Sequence, residues 1–107
     1  MNSQALVEQL AESSRVLASP TRITMLSILR ERKALTWSEL KSILESRSGP
    51  INPNTMHFHL KVLLTAEVIR RAGSETAPIY EIQNVPGPME DMLRRLDPAQ
   101  RSSIVRN

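Results

Sequence analysis

Asn54-Thr-Met-His-Phe-His-Leu-Lys-Val-Leu63 is a segment with two unlike sides. At about 100° per residue, Met56, Leu60, Leu63 and the following Leu64 fall on one aliphatic stripe. The opposite side presents Asn54, Thr55, Phe58, Lys61 and Val62, with His57 and His59 on the two flanks. Such a helix roots one side in a core and leaves short polar groups and a cation on the other, the residue types that reach base edges and phosphates. Asn54 can pair bidentately with adenine, Thr55 can meet a base or a phosphate, and Lys61 can reach guanine or a phosphate. Phe58 has two readings of equal weight: apolar contact with thymine methyl groups, or packing on the neighbouring third helix.

The elements on either side supply a frame for that helix. Upstream, Ser46-Arg-Ser-Gly-Pro-Ile-Asn-Pro-Asn54 is rich in turn formers, and Pro53 with Asn52 or Asn54 as cap starts the helix, which runs to about Ala66. Before that turn, Leu40, Ile43 and Leu44 mark a third helix capped by Thr36 or Ser38, and Leu35-Thr36 is an extended link. Ser19-Pro20 opens a second helix through Ile23, Leu26, Ile28 and Leu29 to about Arg32. Ala5, Leu6, Leu10, Ser13, Val16 and Leu17 are spaced as one side of a first helix over residues 3–18, with Ser3 as its cap.

Downstream the period shortens to two. Val68-Ile-Arg-Arg-Ala72 and Ile79-Tyr-Glu-Ile82 are β-prone runs around Gly73-Ser-Glu-Thr-Ala-Pro78, which reads as a two-stranded hairpin. Met89, Met92, Leu93 and Leu96 then mark a last helix, and Asp97-Pro98 caps a final turn. At helical spacing, Arg94 and Arg95 are expected to pair with Glu90 and Asp91. Two helices joined by a turn, the second followed by a hairpin, set one helix in the major groove while the hairpin reaches the backbone beside it. The expected fold is therefore mainly α with a small β-hairpin, a winged helix-turn-helix of five helices and a two-stranded wing. Within it His57 is expected to face phosphate or base, and His59 to pack at the edge of the helix-turn-helix. Arg70 and Arg71 alternate across the first wing strand, so one should face outward toward phosphate; the plainer role is to solvate an edge strand. Glu75 at the tip would repel phosphate.

Composition narrows the function classes. A chain of 107 residues suits one domain, here 1–107. Fourteen Lys and Arg against eleven Asp and Glu give +3, and residues 47–71 carry that excess themselves: Arg47, Lys61, Arg70 and Arg71 against Glu67. A local positive field favours a polyanionic partner. Absence of cysteine excludes disulfides, thiolate metal sites and cysteine nucleophiles. His57 and His59 stand about 200° apart on a helix, which prevents a chelate. No nucleophile–base pair, phosphate-cradling glycine loop or carboxylate dyad is legible, so neither an enzyme nor a cofactor is expected. The opening Met1-Asn-Ser-Gln-Ala-Leu-Val-Glu8 lacks the basic and apolar regions of a signal peptide, and no stretch approaches bilayer length; a cytoplasmic chain without a membrane partner is expected.

Four stretches together resemble the winged helices of the arsenic-repressor (ArsR) type. Val16-Leu-Ala-Ser-Pro-Thr-Arg-Ile-Thr-Met-Leu-Ser-Ile-Leu29 is similar to their "ALADPTRLRILELL", and Leu35-Thr-Trp-Ser-Glu-Leu-Lys-Ser-Ile-Leu44 to "LSVSELAEAL". Asn54–Leu63 resembles the recognition helix "STVSHHLKVL", and Glu67-Val-Ile-Arg70 resembles "GLVR". The likeness spans residues 15–82. It implies a homodimer joined through the first and last helices (residues 1–18 and 88–104), whose apolar residues here are Leu6, Leu10, Met89, Met92, Leu93 and Leu96. It also implies repression relieved by an inducer. The Cys-x-Cys of the metal sensors has no counterpart in Thr36-Trp-Ser-Glu39, and the last helix offers Glu90, Asp91 and Asp97 but no histidine, so no metal site is expected. The Ser46–Pro53 connection reads as longer than the usual tight turn.

The sequence thus points to a homodimeric regulator, expected to be a repressor, that binds specific double-stranded DNA through Asn54, Thr55, His57, Phe58, Lys61, Arg70 and Arg71. The alternative is a winged helix used as a protein-interaction module without DNA readout, since a fold does not fix its ligand.

Overall fold

A computed structural model describes residues 3–96. Its element order is α1 (Ser3–Leu17), α2 (Pro20–Arg32), β1 (Ala34–Thr36), α3 (Trp37–Ser48), α4 (Pro53–Thr65), β2 (Ile69–Gly73), β3 (Pro78–Ile82) and α5 (Gly87–Leu96). The winged helix-turn-helix is present, with a third strand that the sequence reading lacks. Leu35-Thr36 is not a mere link: β1 pairs antiparallel with β3, Leu35 opposite Tyr80, so the sheet has three strands in the order β1-β3-β2. Three residues are too few for an alternating pattern to register in sequence. The expected Asp97-Pro98 turn and the segment on to residue 104 lie outside the described residues.

Helix α2 is the hub. Met25, Leu26, Ile28 and Leu29 are wholly buried, because α2 packs on α1, α3, α4, α5, β1 and β3. Its start follows the sequence logic: Ser19 caps it by accepting from the Arg22 amide at 3.3 Å, and Pro20 takes the first turn. Helix α3 starts with a reciprocal capping box, in which Thr36 Oγ1 accepts from the Glu39 amide at 3.1 Å and Glu39 Oε1 accepts from the Thr36 amide at 2.8 Å. It runs on to Ser48 and ends at Gly49, whose φ of +90° suits glycine. The connection to α4 is therefore only residues 49–52, shorter than the sequence suggests. Glu45 fixes it by accepting from the Ile51 amide at 3.0 Å. That bond, and then Lys41 at 3.1 Å, hold the Glu45 carboxyl below its ordinary pKa.

The end of α4 sets where the hairpin begins. The Val68 amide donates to the Leu63 carbonyl and the Glu67 amide to the Leu64 carbonyl, the paired bonds of a Schellman cap, and Leu63 and Val68 are both buried. The residue in the left-handed position, φ +59°, is Glu67 and not glycine. At the other end of the molecule, α5 packs on α1 and α2. Met89 and Leu93 are buried in the chain's own core, and Glu90 bonds Arg30 of α2 at 2.8 Å in place of the within-helix partner expected from spacing. Among the described residues no helix is long and apolar enough to cross a membrane.

Left-handed backbone is unfavourable for any residue with a Cβ. Glu67→Gly should therefore raise the urea midpoint, by up to about 1 kcal/mol in stability after allowing for glycine's freer unfolded chain. Glu67→Ala should bring no such gain; equal gains would mean that the charge and not the backbone was the source.

Candidate nucleic-acid interface

Asn52, not Asn54, caps α4: its side chain accepts from the Asn54 amide at 2.8 Å, and Pro53 occupies the first turn. That leaves the Asn54 side chain on the open face. Met56, Leu60 and Leu63 are buried, while Asn54, Thr55, His57, Phe58, Lys61 and Thr65 are exposed. Asn54, Phe58, Lys61 and Thr65 recur at helical spacing opposite the buried stripe. Thr65 was not picked out from sequence, although its place one turn beyond Lys61 is readable there.

Phe58 is 58% exposed, so it does not pack on the third helix as one reading had it. It lies beside the first helix, in a groove of about 300 Å³ lined also by Glu12, Arg15, Lys61, Val62 and Thr65. His57 is exposed and stacks on Trp37 of α3, with ring centroids 5.1 Å apart and planes 21° from parallel. Trp37 is a contact that sequence reasoning missed, because nothing in the spacing of two separate helices announces it.

His59 occupies a different setting. It is half-buried, stands edge-to-face with the Phe58 ring with centroids 5.4 Å apart, and lies 3.0 Å through Nδ1 from Arg22. Arg22 is itself buried, and its guanidinium also donates to the carbonyls of Val16 (3.0 Å) and Arg15 (2.9 Å) at the end of α1. A guanidinium only donates, so Nδ1 must accept and the imidazole is neutral, with its proton on Nε2. Burial first, and then the Arg22 charge, hold the His59 pKa below its ordinary value.

The hairpin separates its two arginines. Arg70 lies opposite Glu81 and bonds it at 2.6 Å, whereas Arg71 lies opposite buried Tyr80 and is exposed near the tip. Arg47 likewise bonds Glu31 at 2.8 Å. Partners from outside residues 47–71 therefore offset two of the four cations in the basic segment. Among the described residues Lys61 and Arg71 enter no ion pair. Within residues 47–71 the free positive charge is thus one cation on the helix and one on the hairpin.

Comparison with known proteins agrees with this architecture. Residues 17–72 match the helix-turn-helix domain family, and the chain belongs to it. Its fold is similar to that of a winged helix-turn-helix domain and of an ArsR family regulator among solved structures. It is similar to the transcriptional repressor PagR of Bacillus anthracis, at 23% identity and a TM-score of 0.70 over 88% of this chain and 99% of that one. It is similar to the homodimeric winged helix-turn-helix DNA-binding domain of Mb0332 from Mycobacterium bovis, at 19% identity and 0.65 over 96% and 83%. A third similar structure is the ArsR family transcriptional regulator RHA00566, at 21% identity and 0.62 over 94% and 93%. These relatives are described as regulators or DNA-binding domains and not as enzymes. No curated protein sequence matches the chain.

A histidine whose folded pKa is depressed contributes stability that is present above its ordinary value and is lost as pH falls through the folded one. Lowering the pH from about 7.5 to about 5.5 should thus reduce the urea midpoint of the wild type more than that of His59→Gln. Equal slopes for the two proteins would remove His59 from the acid sensitivity.

Proposed function

We propose that the chain is a sequence-specific, double-stranded DNA-binding regulator that works as a homodimer in the cytoplasm, as a repressor. The observation that carries the reading is the division of α4: Met56, Leu60 and Leu63 are buried while Asn54, Thr55, Phe58 and Lys61 are open on the far side. In this reading Asn54 and Thr55 contact base edges, Phe58 meets thymine methyl groups and Lys61 a phosphate or guanine. His57 borders that contact. Arg71 serves as the phosphate cation of the wing in preference to Arg70, whose charge Glu81 already meets. Residues 15–82 form the reading unit.

The dimer rests on residues outside that unit. Leu6, Val7 and Leu10 of α1 and Met92 and Leu96 of α5 are large apolar side chains left exposed. Exposed apolar surface of this kind marks an interaction site. Of the six residues expected at the interface, Met89 and Leu93 serve the chain's own core, so the proposed contact uses Leu6, Leu10, Met92 and Leu96 with Val7 added. Segments 1–18 and 88–104 supply it. The homodimer described for Mb0332 and the repressor described for PagR favour the same assignment by analogy.

Duplex affinity should fall steeply with salt as phosphate contacts release counterions. Lys61→Ala should weaken selected and random duplexes alike and lower the salt slope by about 1, whereas Asn54→Ala should lose about 1–3 kcal/mol mainly on selected sites. A gel-shift series without salt-sensitive duplex binding would leave the protein-interaction module in its place. Leu10→Glu should turn the dimer into a folded monomer in sedimentation and weaken binding to a two-half-site operator; a dimer that persists in both Leu10→Glu and Met92→Glu would move the interface elsewhere.

A further inference from the structure

We infer that Trp37 is a positioning residue for DNA recognition: stacked on His57, it fixes the direction in which that imidazole meets the duplex. The inference rests on the DNA-binding reading above. His57 stands on the exposed part of α4, one residue from Phe58, where an unsupported side chain would exchange among rotamers. The near-parallel stack at 5.1 Å and 21° removes that freedom from one face of the ring and leaves its edge open. Trp37 can do this because it is itself held. It opens α3 directly after the capping box of Thr36 and Glu39, and its ring packs against the core.

The chemistry of the indole supports this role. Its N–H is buried and has no hydrogen-bond partner, so the polar atom that distinguishes tryptophan makes no bond within the chain. A buried donor without an acceptor is unfavourable. What the ring does provide is a wide flat face, and that face meets His57. The short connection of residues 49–52 keeps the two helices in register, so the support arrives preformed and not on binding. Ordering an exposed side chain ahead of association favours affinity by about two- to tenfold.

A double-mutant cycle on the full chain tests this. Trp37→Leu should weaken binding to a selected duplex by about two- to tenfold, Trp37→Phe should keep most of the affinity through a smaller stack, and Trp37→Leu should add no loss in the H57A background. Thermal melts identify any variant that is unfolded; if Trp37→Leu is one, the emission measurement on wild type and His57→Ala carries the test. Because the sequence has one tryptophan, its emission reports the stack without DNA. His57→Ala should alter that emission and the change that duplex induces in it. The same loss from Trp37→Leu with and without His57, or emission indifferent to His57→Ala, overturns the inference while leaving DNA binding intact. A wild type that binds no duplex while its emission responds to His57→Ala instead counts against the DNA-binding reading.

Discussion

One buried guanidinium joins three helices. Arg22 projects from the first turn of α2, takes up the carbonyls of Arg15 and Val16 near the end of α1, and reaches His59 on α4. Carbonyls at a helix end have no partner within the helix, so a donor is needed there if the end is covered. Arg22 meets that need with a planar fork whose remaining nitrogen is left for the imidazole. The arrangement holds together only while His59 is neutral. The exposed side of α4 is thereby aimed by contacts on its other side: the aliphatic stripe settles its depth, and the Arg22–His59 bond settles its roll about its axis.

The electrostatics of the reading surface come from what is left unpaired. Arg47 and Arg70 are matched by Glu31 and Glu81, so their charges serve the fold and project little field. Lys61 and Arg71 remain, one on each of the two elements that a winged helix brings to a duplex. A segment that looks uniformly basic in one dimension thus becomes two separate points in three. In the DNA-binding reading proposed above, phosphate contacts of this kind would set register, while discrimination would fall to the neutral groups of Asn54 and Thr55.

Much of this was readable in advance. The proline at the first turn of α2 and of α4, the caps at Ser19 and Thr36, and the stripe of Met56, Leu60 and Leu63 are local signals, and local signals survive into the structure. The likeness spread over residues 15–82 carried the class of fold. Readings failed where the deciding partner was remote in sequence. Glu90 is four residues from Arg94 but turns to Arg30, sixty positions away, because α5 packs on α2. Leu35 becomes a strand residue only because Tyr80 comes beside it. Met89 and Leu93 share a stripe with Met92 and Leu96, yet a helix lying against a core divides such a stripe, and periodicity alone does not show where the division falls. Trp37 on His57 is of the same kind.

The tether between Arg30 and Glu90 has a mechanical meaning. With Met89 and Leu93 seated below it, α5 is bolted to the same α2 that bears α4, so packed contacts run without a break from the outer apolar edge of the chain to the exposed face of α4. If two copies pair as proposed, the span between their α4 helices is set by the angle at which the copies meet. In such a pair, a change of that span would find little to bend within one copy and would act as a wrench on the joint between them.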